Sequence, residues 1–248
     1  IIKKTMNKIN ECIIGGKILN GNCVVIKNRD RTYHPKLLVI HYLTKEEELI
    51  FIYDIETQYM EGLNCKTGIA VLNAALENKE DASSDVSDEG KKIFNALRYS
   101  GNSKECIRRL VKSKLYGHTL ISKKNYFCIL EYAKGNKPHV SVHREEQDYA
   151  ARTNHGYHIK KTGYVPENDD NYISSKSRMA AAEVILAYTK DFDDLLPALN
   201  YPIFGDLNVV NPNRDTSYMQ TTSQLGIDFS KKTFNFIRIY LPFFQMSI

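Results

Sequence analysis

A thiol becomes a useful nucleophile when cations or a base stand beside it. The segment Glu11-Cys-Ile-Ile-Gly-Gly-Lys-Ile-Leu-Asn-Gly-Asn-Cys-Val-Val-Ile-Lys-Asn-Arg-Asp30 brings such residues together. Asn20-Gly21 between two apolar runs is a strong β-hairpin signal. A two-residue turn at 20–21 sets Cys12 opposite Arg29. A three-residue loop at 20–22 sets it opposite Asp30 instead, on one face and ~5 Å apart at Cβ. In both registers the thiol lies beside Lys27-Asn-Arg29-Asp30. Cys23 competes for the role, but it shares a strand with Asp30, which lies ~23 Å further along an extended chain. Spacing therefore favours Cys12 over Cys23 as the candidate nucleophile, although a buried structural position is the commoner fate of a strand cysteine.

The elements that must position this hairpin are legible in outline. Strand-like runs fill the first third, at 12–19, 23–27, 37–42, 49–53 and 68–76. A polar, acidic loop over 77–89 leads to a helix N-cap at Ser87. One helix carries Ile93, Phe94 and Leu97 at helical spacing, and a second starts near Ser103 with Ile107, Leu110 and Val111 on one face. Strands resume at 118–122, 126–132 and 139–143; a helix covers 175–189; strand pairs close the chain at 218–229 and 233–240. This order predicts an α+β domain of two antiparallel sheets packed face to face with helices outside. It is read as a single domain over 12–248, preceded by an extension or propeptide at 1–11. Met6 is a candidate initiator within that extension.

Cysteine, strand, glycine-containing turn, strand, then Lys27-Asn-Arg29-Asp30 resembles the amino-terminal signature of the choloylglycine hydrolase and acid ceramidase-like family. That family includes bile salt hydrolases and penicillin V acylases and is close to the isopenicillin-N acyltransferases. Glu61-Gly-Leu-Asn64-Cys-Lys-Thr-Gly68 resembles its Asn-Glu-Lys-Gly-Leu segment, with one extra residue before the glycine. Arg152-Thr-Asn154-His155-Gly resembles its Thr-Asn segment, Ser174-Ser175-Lys-Ser-Arg178 its Ser-x-x-Arg helix start, and Thr221-Thr-Ser-Gln its late strand. The matches keep family order across nearly the whole chain after Cys12. Three features depart from the pattern: Ile13 follows the cysteine where Thr or Ser is frequent, Lys27 stands for Arg, and the chain is shorter than bile salt hydrolases.

The resemblance implies the four-layer αββα sandwich of N-terminal-nucleophile (Ntn) hydrolases. It also implies cleavage before Cys12, so that the freed α-amine, with an ordinary pKa near ~8, serves as general base. Asp30 would hold that amine, Asn64 and Asn154 would supply oxyanion donors, and Arg178 would stabilise charge near the nucleophile. Lys27, Arg29 and His155 would contact substrate. Each has an ordinary alternative: a turn carboxylate for Asp30, turn stabilisation for the asparagines, a solvated first-turn arginine for Arg178. A Cys12–His155 dyad is a rival mechanism. Tyr33, His34, Tyr157 and Tyr172 are candidate pocket residues or plain packing groups.

The expected activity is hydrolysis of a linear amide bond in a small N-acyl compound, with no cofactor and no metal. Acyl transfer shares the same acyl-enzyme, and a catalytically silent ligand-binding Ntn protein is the reading from another class. The net charge of +5 is scattered among acidic residues, which argues against a nucleic-acid surface. No apolar run approaches the ~20 residues of a membrane span. Five cysteines, Cys12, Cys23, Cys65, Cys106 and Cys128, form no CxxC pair and are odd in number. A disulfide framework is therefore not expected, and a cytoplasmic setting is. Homo-oligomerisation is left open.

Overall fold

The computed structural model describes residues 10–31, 33–76, 86–168, 170–200, 220–238 and 243–247. Met6, most of the extension, the loop 77–85 and the outer ends of the last two expected strand runs (218–219 and 239–240) lie outside them.

The chain opens with β1 (Asn10–Leu19) and β2 (Asn22–Arg31). Their turn has Asn20 at φ 51° and Gly21 at φ 69°, the paired left-handed conformation of a two-residue hairpin turn. The Glu146 carboxylate accepts from the amides of both, at 2.9 and 2.8 Å. The meander β3 (Leu37–Leu43), β4 (Glu48–Asp54), β5 (Met60–Asn64) and β6 (Ile69–Ala74) follows, then α1 (Val86–Tyr99) and α2 (Ser103–Lys112). Ser87, the expected cap, is the second residue of α1. Next come β7 (Gly117–Lys123), β8 (Tyr126–Tyr132), β9 (His139–His143), β10 (Tyr149–Arg152), α3 (Asp170–Tyr188) and α4 (Phe192–Asn200). The described chain closes with β11 (Gln220–Asp228), β12 (Thr233–Arg238) and β13 (Phe243–Ser247).

Two antiparallel sheets result. One has the order β10-β1-β2-β11-β12-β13, the other runs β3 to β9 in sequence. Strand alternation divides their side chains among three buried clusters. Ile14, Ile18, Val25, Ile50, Leu72, Leu120, Phe127 and Phe234 meet between the sheets. Ile13 and Ile26 face α3 and α4 through Ala182, Leu186 and Leu195. On the other sheet Val71, Ile121 and Leu130 face α1 and α2 through Ile93, Leu97 and Leu110. Each fully buried aliphatic side chain stabilises the fold by roughly 1.5–3 kcal/mol. Helix, sheet, sheet, helix is thus the layering that three apolar faces require, and it is the αββα sandwich expected. Gly16 permits close packing at its centre, since a Cβ there would stand 3.2 Å from the Phe127 ring.

Candidate active site

The register places Cys12 opposite Arg29 and Glu11 opposite Asp30, the two-residue-turn alternative. Alternation then separates two groups. Cys12, Lys27, Arg29 and Arg31 point between the sheets, while Glu11 and Asp30 point towards α3. Asp30 is therefore not on the thiol's face, as the three-residue loop would have had it.

Between the sheets, Cys12 is 4% exposed and its sulfur lies 3.5 Å from Arg31 Nη1. The same Nη1 donates to the Glu11 carbonyl at 3.0 Å and the Asp30 carbonyl at 2.8 Å. Lys27 Nζ donates to Glu61 Oε2 at 2.6 Å and to the Asn73 carbonyl at 2.5 Å. Arg29 pairs with Glu61 through Nε at 2.9 Å and also through Nη2. Burial alone would push Glu61 up, but Arg29 and Lys27 hold it down at about 2. Burial in turn lowers Lys27, against the pull of Cys12 and Glu61. Lys27 and Arg29, the expected substrate contacts, are thus engaged by one internal carboxylate.

On the α3 side, Arg178 bridges two carboxylates: Nη1 donates to Asp30 Oδ2 and Nη2 to Glu11 Oε2, each at 2.5 Å. Thr221 Oγ1 donates to Asp30 Oδ1 at 2.6 Å, and Tyr164 OH to Glu11 Oε1 at 2.7 Å. The helix begins at Asp170, so Arg178 sits well inside it, 2% exposed, and not as a solvated first-turn residue. Two carboxylates, rather than the helix dipole, account for a buried guanidinium here.

Asn154 connects the loop after β10 to this hairpin. Its Oδ1 accepts from the Cys12 backbone N at 3.1 Å, and its Nδ2 donates to the Ala75 carbonyl at 2.8 Å. Its own amide donates to Ser175 Oγ on α3 at 3.1 Å. Ser175 Oγ and Thr153 Oγ1 also lie 2.9 and 3.0 Å from His155 Nδ1. Burial, with the charges of His118 and Lys176, holds His155 down at about 4. The Cys12 sulfur is met by Arg31, while His155 Nδ1 serves Thr153 and Ser175 and so fixes the Asn154 loop.

Asn64 is not brought to Cys12. Its Nδ2 donates to the Leu97 carbonyl at the end of α1, at 3.0 Å, and its Oδ1 caps Thr67 N at 3.0 Å. It is the last residue of β5 and points to the helix layer, a turn-stabilising position. The end of β6 borders the site instead, through the carbonyls of Asn73 and Ala75. Of the candidate pocket aromatics, Tyr33 OH donates to Asp54 at 3.2 Å and Tyr157 stacks under Arg152 at 3.6 Å. Tyr172 packs edge-on against His155, and His34 is exposed.

The sequence reading missed Arg31, Glu11, Glu61 and Tyr164. Arg31 was accessible, because it continues the alternation from Lys27 and Arg29. Tyr164 carried no local signal: it reaches Glu11 across 153 positions. The other four cysteines are free thiols. Burial pushes Cys23 well up, and Cys65, Cys106 and Cys128 to about 12. Among the described residues no group of three His, Cys, Asp or Glu side chains is arranged to hold a metal ion. No described helix is long and apolar enough to cross a membrane.

The fold is an α+β sandwich of two antiparallel sheets between helix layers, and solved structures superpose on it. Penicillin V acylase from Agrobacterium tumefaciens matches 96% of this chain and 86% of its own, with 12% identity and a TM-score of 0.51. A mutant of conjugated bile acid hydrolase from Clostridium perfringens matches over 95% and 92%, at 12% identity and TM-score 0.56. A second variant of that hydrolase gives 94% and 92%, 14% and 0.61. By sequence, no family model and no curated protein matches the chain.

Proposed function

We propose that the chain is a cysteine-nucleophile hydrolase of linear amide bonds that first cleaves itself before Cys12. The observation that carries this is the Glu11–Cys12 peptide, gripped on both sides: Arg31 donates to its carbonyl and Asn154 accepts from its nitrogen. The same Arg31 nitrogen touches the thiol, so nucleophile and carbonyl share one cation. The likeness to structures named as an acylase and a conjugated bile acid hydrolase supports amide chemistry on this fold.

In the first reaction the Cys12 sulfur attacks the Glu11 carbonyl carbon, and Arg31 stabilises the developing oxyanion. The C–N bond breaks, the nitrogen takes up the proton that the thiol gives up and leaves as the α-amine of Cys12, and a thioester remains. Water hydrolyses it, releasing residues 1–11 with a new carboxylate. In turnover the α-amine takes the thiol proton and the sulfur attacks a substrate amide. The protonated amine returns that proton to the departing nitrogen, and water releases the acid from the thioester. Asp30, held by Arg178 and Thr221, orients the α-amine from the α3 side. The Asn154 amide has two hydrogens, and in this reading the one not donated to Ala75 would serve a substrate oxyanion. His155 acts through Thr153 and Ser175 as a support for that amide. An amine in place of water would make the same thioester an acyl donor.

The substrate class is a small N-acyl compound. A panel of N-acyl amino acids, acyl amines and β-lactams, read by amine release, tests the reading. The wild-type chain should release amine from at least one member and Cys12→Ala from none. A chain silent on the panel and uncleaved is a binding protein on an Ntn scaffold.

A further inference from the structure

Residue 11 is on the acyl side of the bond that self-cleavage would break, and it is held from two directions at once. Its carbonyl is fixed from between the sheets by Arg31 at 3.0 Å. Its carboxylate is fixed from the α3 side by Arg178 at 2.5 Å and Tyr164 at 2.7 Å. The residue is 2% exposed. Its neighbour on that face, Ile13, packs into the apolar cluster under α3. An apolar residue at position 11 would extend that cluster with no charge to desolvate, whereas a buried carboxylate is costly unless paired. The carboxylate also draws on Arg178, which is already matched by Asp30 at 2.5 Å. Fold stability therefore does not call for a glutamate here.

The scissile bond does. The Glu11 carbonyl carbon must stay against the Cys12 sulfur, and rotation of residue 11 about its backbone would carry it away. A side chain clamped on one face and a carbonyl clamped on the other remove that rotation. We propose that the Glu11 carboxylate is a positioning group for self-cleavage, discarded with the segment it helps to remove. This rests on the self-cleavage reading above. Because residue 11 departs with the product, its whole influence falls on the first reaction.

The experiment compares Glu11→Gln, Glu11→Asp and Glu11→Ala with the wild-type chain, following intact mass with time in freshly purified protein. Glu11→Ala should slow appearance of the Cys12 terminus by about tenfold or more, the scale expected for sub-ångström misplacement. Glu11→Gln should be intermediate, and Glu11→Asp should restore part of the rate. Amine release per mature chain should be the same for all four, since the mature chains are identical in sequence. Melting midpoints of the same substitutions in Cys12→Ala chains separate positioning from folding. A rate loss that vanishes at temperatures where all precursors are fully folded overturns the inference, as does Glu11→Ala keeping pace with wild type. A wild-type chain that stays whole overturns the self-cleavage reading, and this inference with it.

Discussion

Replacing Arg178 by methionine in a Cys12→Ala chain isolates the buried charge cluster, because residue 11 then stays in place. The guanidinium touches Asp30 and Glu11 at 2.5 Å each and is 2% exposed. Methionine keeps much of the volume but leaves two carboxylates facing one another in the interior. Breaking a buried ion pair by removing one partner costs about 3–5 kcal/mol, and here two pairs lose the same partner. For a domain of this size that corresponds to a fall in melting midpoint of roughly 6–20 °C. Adding Glu11→Gln and Asp30→Asn to Arg178→Met should recover more than half of the loss, since no uncompensated charge remains. Urea unfolding at neutral pH is the assay, with the midpoint shifting and the slope unchanged. A single-variant loss below ~1 kcal/mol, typical of exposed pairs, would refute the reasoning. So would a triple variant no more stable than the single one.

Asn154→Ala should lower amine release by about 100- to 1,000-fold, the usual loss of one oxyanion donor. Asn64→Ala should leave turnover intact and cost about 1–3 kcal/mol of stability, because its two bonds are a turn cap and a helix-end cap. Equal activity losses in the two would contradict the placement of Asn64. Cys23→Ala should retain activity and lose roughly 1 kcal/mol, since that thiol is fully buried and pushed well up; a folded but inactive variant would shift the nucleophile to Cys23. Stability should decline on acidification in two stages. Burial holds His118 and His155 at about 4 against an ordinary 6.5, so the unfolded chain binds more protons below 6.5 and stability drains towards 4. Glu61, held at about 2 against 4.5, adds its loss below pH 4.5. A melting midpoint unchanged between pH 7 and 4.5 would count against this account.

Periodicity made the layers legible. Apolar runs in β1 and β2 with Asn20-Gly21 between them specify the hairpin, and the left-handed turn selects the register with Cys12 opposite Arg29. The sequence signals α3 only from 175, because its first five residues, Asp-Asn-Tyr-Ile-Ser, lack an apolar stripe. Tyr172 in that first turn packs edge-on against His155. α4 carries no local signal either: Pro197 within it argues against a helix, while Leu195, Leu196 and Leu199 are buried under the sheet. In the site, residues tied to the hairpin could be placed by spacing, but Asn64 could not. Its one-residue offset from the family segment was visible, yet only β5's pairing with β4 and β6 shows which way the side chain points. The clamp on Glu11 joins residues 11, 164 and 178, a juxtaposition made by tertiary packing and written in no local pattern.

Intact-mass measurement on the purified wild-type chain, beside Cys12→Ala, bears most directly on the central claim. The account predicts that the wild-type chain loses residues 1–11 and begins at Cys12. Cys12→Ala should keep them, its alanine methyl having no atom able to attack the Glu11 carbonyl. A wild-type chain that stays whole while folded, or a Cys12→Ala chain trimmed at the same bond, would contradict it.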